Sequence, residues 1–248
     1  MILRCEHLSK SFGGTRALAD VSLEFPSSGV IAIIGPNGAG KTTLLHTLTG
    51  FLRPDHGRVL LDNSDLTRQP PHRIARLGIA RTFQDLRLIS QVTVLENVLL
   101  ARPNQKGERL LPALFRFGVG KEEESNREAA FKLLYFVGLK DQAGELAGEL
   151  SYGQQKLLTL ACCLATEAKI LLLDEPVAGV HPEMASKILG LLARLRDQGK
   201  LIVFIEHDIA AVRQIADQVI VMDEGKIIAQ GNPAEVLERP EIIEAYVA

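Results

Sequence analysis

Apolar residues along this chain fall into two patterns. Val30 to Ile34, Val59 to Asp62, Lys169 to Asp174, Leu201 to Ile205 and Val219 to Met222 are short, β-branched or leucine-rich runs. They do not alternate with polar residues, so each predicts a strand covered on both faces. Between several of them the spacing changes to that of a helix. In "VHPEMASKILGLLARLRDQGK", Ile188, Leu192 and Leu195 share one face, Pro182 suits a first turn and Gly199 a stop. Thr93 and Glu96 have capping-box spacing, with Pro103 closing that helix, and "GKEEESNREAAFKLLYFVGL" predicts a solvated helix with a late apolar face. Strands alternating with helices imply an α/β protein.

These elements are unevenly distributed. Residues from about 86 to 160 predict mostly helix, inserted between strand-rich parts at 1–85 and 161–230, with 231–248 as a helical tail. "RPNQKGERLLPALFRFGVGK" is the irregular stretch, read as a surface loop with one hydrophobic turn of helix. The chain shows no internal repeat and no low-complexity tract.

The bulk properties narrow the classes of function. With 248 residues, 46% of them hydrophobic, the chain can bury a sizeable core. A formal net charge of -2 argues against a protein that holds nucleic acid through its phosphates. Cys5, Cys162 and Cys163 match no zinc or redox spacing and predict buried free thiols in a reducing cytosol. The start "MILRCEHLSK" lacks the order of a signal peptide, and no apolar run approaches the roughly 18 residues of a membrane span. The expectation is a chain that is soluble by itself.

The chemistry is concentrated at strand ends. "GPNGAGKTT", residues 35–43, follows the strand at Val30 to Ile34 and precedes a helical run. This is the strand, glycine turn and helix context of a phosphate-binding loop. Gly35, Gly38 and Gly40 let backbone amides curl around a β-phosphate, Lys41 reaches the β- and γ-phosphates, and the Thr42 hydroxyl can ligate magnesium. "AKILLLDEP" supplies Asp174 at the end of a buried strand, placed to hold that magnesium through water. Glu175 follows it and is placed to polarise an attacking water as a general base. His207 ends a further apolar strand, "LIVFIEHD", where it can donate to a γ-phosphate.

Taken in order, "GPNGAGKTT", "TFQ", "LSYGQQ", "LLLDEP" and "IEHD" make the chain resemble, over essentially its whole length, the nucleotide-binding subunit of ATP-binding-cassette transporters. The resemblance implies a RecA-like phosphate-loop core with a mixed sheet, an antiparallel β region near the N-terminus and an inserted helical subdomain. It implies ATP and Mg2+, with Pro36, Asn37, Ala39 and Thr43 completing the phosphate loop. It also implies that Gln84 touches magnesium and the attacking water, and that Phe12 stacks on adenine in place of the usual tyrosine. Ser151, Gly153 and Gln154 then form the signature loop, which closes over ATP held by a second subunit, so that hydrolysis requires a dimer.

Two positions depart from the family pattern. Tyr152 replaces the first glycine of the commonest signature, and His181 stands where an aspartate is usual, which puts that coupling contact in question. "GIARTFQDLRLISQVTVLENVLLA", "PVAGVHPE" and "GNPAEVLERPEIIEAYVA" are most similar to importers of branched-chain amino acids and of urea or short amides. That branch implies permease subunits, a second ATPase subunit, an extracytoplasmic binding protein and a place on the inner face of the cell membrane. A lipid or lipopolysaccharide exporter cassette and a soluble non-transport cassette are the competing members.

Overall fold

The computed structural model describes residues 1–84, 86–103, 119–240 and 242. The chain divides into two compact units, Met1–Arg81 with Lys169–Ala248, and Thr82–Ala168.

The first unit holds two sheets. Its elements are β1 (Leu3–Phe12), β2 (Thr15–Glu24), β3 (Gly29–Ile34), α1 (Lys41–Leu48), β4 (His56–Leu61), β5 (Ser64–Asp65), α2 (Pro71–Arg76) and β6 (Ile79–Arg81). The six-stranded sheet has the order β10-β9-β3-β8-β7-β6, where β7 is Ile170–Asp174, β8 Leu201–Ile205, β9 Gln218–Asp223 and β10 Lys226–Gly231. The β9, β3, β8, β7 and β6 strands run parallel and β10 pairs antiparallel at one edge. The parallel strands are the continuously apolar ones, as burial on both faces requires.

One expected strand belongs elsewhere. The run at Val59 begins at His56 and pairs antiparallel with β1 in a second sheet of order β2-β1-β4-β5. Its three buried residues, Val59, Leu60 and Leu61, imitate a parallel strand. The β1 and β2 strands escape a period-two reading because their register shifts repeatedly, with His7 and Asp20 in left-handed backbone conformations.

A single apolar cluster draws Leu3, Leu8, Leu18 and Val59 from the antiparallel sheet, Leu44, Leu45 and Leu48 from α1, and Ile31, Ile33, Val203 and Ile205 from the large sheet. Ile31 pairs with Val203 and Ile33 with Ile205, so alternate residues of β3 and β8 enter this core in register.

The second unit contains α3 (Val94–Leu100), α4 (Val119–Val137) and α5 (Tyr152–Ala165). The Thr93 capping box is formed: Thr93 Oγ1 accepts the Glu96 N–H at 3.1 Å, and Glu96 Oε2 accepts the Thr93 N–H at 2.7 Å. Most of the irregular stretch, residues 104–118, lies outside the described residues.

Back in the first unit, α6 (Pro182–Asp197) buries Ile188, Leu192 and Leu195 as its spacing predicts, and α7 (Ile209–Ile215) and α8 (Pro233–Val236) complete it. Residues 243–248 of the expected tail are outside the described residues. Among those described, no helix is long and apolar enough to cross a membrane.

Candidate functional site

Parallel strands deliver their carboxyl ends to one edge of a sheet, and three of them do so here. Ile33 of β3 and Asp174 of β7 both pair with Ile205 of β8, so the residues that follow these strands emerge together. They are the Gly35 loop, Glu175 and His207. In open α/β sheets this is where ligands bind.

The loop is shaped by glycines in left-handed or mirror-image conformations. A Cβ on Gly35 would lie 2.0 Å from the Met222 carbonyl oxygen, and one on Gly40, where φ is 97°, would lie 2.2 Å from that of Ala17. No other residue fits either place without moving backbone. Gly40 is the N-cap of α1, and no side chain caps that helix. Its first turn carries no acidic residue, which leaves the partial positive charge of the helix start unopposed from within that turn.

Lys41 is buried, and its Nζ donates to the carbonyl oxygens of Gly35 at 2.7 Å and Pro36 at 2.9 Å. Burial lowers its pKa, while the nearby carboxylates of Glu175 and Asp174 act in the opposite direction. The loop lysine and both acids therefore share one electrostatic cluster.

Asp174 is buried, and its Oδ2 accepts from Arg81 Nη2 at 3.0 Å. Arg81 is equally buried, as charges in an interior must be when paired. Glu175 adopts φ 50°, its N–H donates to the Ile205 carbonyl at 3.0 Å, and its Oε1 is 3.5 Å from His207 Nε2. The next residue back from that histidine, Glu206, is buried and accepts the Val177 N–H at 2.8 Å. Reading the sequence alone passes over Arg81 and Glu206; the available signal was a charge directly ending or following a short apolar strand.

The first unit thus brings together the 35–43 loop, Lys41, Asp174, Glu175 and His207. Phe12 ends β1 beside the Gly13–Gly14 turn, about half exposed, with Lys10 Nζ 5.6 Å from its ring centre. Gln84, Ser151, Gly153 and Gln154 belong to the second unit. Gln84 is exposed. Ser151 caps α5: its Oγ accepts the Gln154 N–H at 3.4 Å, and Gln154 Oε1 accepts the Ser151 N–H at 2.9 Å. Tyr152 is about half exposed, its ring beside Lys156 Nζ at 5.4 Å, one turn along its own helix. His181 is the N-cap of α6 but makes no side-chain cap, a role an aspartate there would fill.

Metal and thiol chemistry can be weighed on the same geometry. Among the described residues no three His, Cys, Asp or Glu side chains gather to hold a metal. Asp174 and the Thr42 hydroxyl offer a sparse, all-oxygen set, which suits Mg2+ completed by phosphate and water rather than a metal caged by protein. Burial pushes the thiols of Cys5, Cys162 and Cys163 up to about 12, which disfavours the reactive thiolate.

Comparison with known proteins agrees with the geometry. Residues 18–178 match the family model described as ABC transporter. The high-affinity branched-chain amino acid transport ATP-binding protein BraF of Pseudomonas aeruginosa is 38% identical over 248 residues, covering 99% of this chain and 97% of that protein. An ATP-binding cassette of an ABC transporter, solved in its ADP conformation, superposes with a TM-score of 0.87 at 40% identity, covering 100% of this chain and 98% of the other. A dimeric cassette in a post-hydrolysis state, bound to ADP and Pi, gives a TM-score of 0.78 at 27% identity, covering 93% and 98%.

Proposed function

The chain belongs to the ABC transporter family, and on that premise we propose that it hydrolyses ATP to power a membrane importer of branched-chain amino acids or related small amides. The observation that carries the proposal is the convergence of the Gly35 loop, Asp174, Glu175 and His207 at the carboxyl edge of one sheet.

The backbone amides of residues 35–43 and the uncapped start of α1 receive the phosphates, and Lys41 exchanges its two carbonyl partners for phosphate oxygens. Phe12 offers an exposed ring face to adenine. Thr42 and Asp174 would hold Mg2+, with Gln84 added as a ligand by the family resemblance, and the ion would offset the charge of the phosphates. Glu175 takes the proton of the attacking water as the water oxygen bonds to the γ-phosphorus, and the bond to the bridging oxygen breaks to leave ADP and phosphate. His207, 3.5 Å from Glu175, would donate to the γ-phosphate oxygens. General-base assistance of this kind is worth roughly 10²–10⁴ in rate.

Ser151, Gly153, Gln154 and the start of α5 would serve the ATP of a second cassette, either a copy of this chain or a sister subunit. The dimeric form of a related cassette supports this reading. The chain would work at the cytoplasmic face of the membrane, docked on permease subunits and fed by an extracytoplasmic binding protein.

Glu175→Gln tests the assignment. The variant should bind ATP normally, lose at least about 10²-fold in turnover and accumulate as an ATP-bound dimer in sizing chromatography. Turnover at the unaltered rate would overturn the role given to Glu175.

A further inference from the structure

Glu206 occupies a place where an apolar residue would be expected. It directly follows the five buried residues of β8 and is itself 2% exposed. A carboxyl group so placed is costly unless its oxygens are satisfied. Here its Oε1 accepts the Val177 N–H at 2.8 Å, and its Oε2 accepts the His207 N–H at the longer distance of 3.3 Å. These two donors are backbone groups on two different connections: Val177 is two residues past Glu175, and His207 follows Glu206 directly.

Between these bonds sits a residue in an unfavourable conformation. Glu175 has φ 50°, a left-handed backbone that is unfavourable for a residue with a Cβ and persists only where its surroundings over-determine it. The surroundings do so from both sides. The Glu175 N–H is held by the Ile205 carbonyl at 3.0 Å, and two residues later the chain is held by Glu206. One buried carboxyl thus cross-braces the turn that presents Glu175 and the strand end that presents His207, whose side chains approach to 3.5 Å.

We propose that Glu206 is a positioning residue for ATP hydrolysis: it fixes the separation of Glu175 and His207, so that one acts on the water and the other on the phosphate. The inference rests on the roles given to those two residues above. Displacement by about 1 Å at a reacting centre can lower turnover by about 10²-fold while leaving substrate binding intact.

Glu206→Gln has nearly the same shape, keeps one accepting oxygen and turns an amide NH2 toward the other backbone N–H. Native-state hydrogen exchange, melting temperature, and KM and kcat for ATP should be measured on it. The expected result is faster exchange at the Val177 and His207 amides, unchanged exchange at Leu172 and Val203, an unchanged KM and a kcat lowered about 10- to 100-fold. Glu206→Asp, one methylene too short to reach both amides, should behave the same way.

Unchanged exchange at Val177 and His207, or faster exchange with unchanged kcat, would overturn the inference. So would faster exchange throughout β7 and β8 with KM and kcat degraded together, which is plain destabilisation. Glu175→Gln measured alongside separates the two levels. If it retains full turnover, the function reading fails and takes the inference with it; if it is inactive, a failure of the Glu206 variants overturns the inference alone.

Discussion

Two helices of this molecule open from glycine-bearing polar turns, and their N-termini are finished in opposite ways. The α1 helix starts at Gly40 in a left-handed conformation with no side-chain cap and no acid in its first turn. The α5 helix starts at Ser151, where a capping box lets Ser151 and Gln154 satisfy each other's backbone N–H groups. Every helix start leaves up to four N–H groups without an intrahelical partner and a partial positive charge. At α1 no side chain takes any of them, whereas at α5 the box takes the N–H groups of Gln154 and Ser151. The first turn therefore suits the anion proposed for it on its own chain. The second is stable without one, and the Gln154 N–H contact that Ser151 Oγ accepts, at 3.4 Å, is long enough that little is lost when the hydroxyl turns away from it.

The largest expected effect comes from closing the open turn. Gly40→Ala would place a Cβ 2.2 Å from the Ala17 carbonyl oxygen on a residue at φ 97°. It should cost at least about 2 kcal/mol of stability in chemical denaturation and abolish ATP binding in a titration. Retained affinity would mean that the loop tolerates a shape this structure forbids. The smallest effect comes from opening the closed turn. Gln154→Ala removes one half of the α5 box and should cost about 0.5–1 kcal/mol, read from a denaturant midpoint, with ATP affinity of the dilute chain unchanged.

The contrast also shows what a sequence makes legible. The open turn, Asp174, Glu175 and His207 could be read because each sits in a contiguous motif beside a continuously apolar strand. The central strands of the large sheet, β3, β7, β8 and β9, could be read for the same reason, since burial on both faces leaves no polar interruption, whereas the exposed edge strand β10 could not. The β1 and β2 strands could not, because shifts in their register break the alternation that marks a half-buried strand. β6, at three residues, is too short to show any period. Arg81 and Glu206 were missed for a different reason: a charge at the end of an apolar run reads as solvated until folding supplies Asp174 for one and the Val177 amide for the other. Tyr152 is clarified by the structure, its ring lying near Lys156 along its own helix.

The division of labour between the two turns is tested most directly by titrating a fluorescent ATP analogue into dilute Lys41→Ala and Ser151→Ala proteins, then assaying both for turnover at high concentration. The account predicts that Lys41→Ala loses binding, whereas Ser151→Ala binds as the unaltered chain does and loses turnover only when cassettes associate. Equal loss of binding in both variants would contradict it, because the Ser151 turn would then be serving the nucleotide of its own chain.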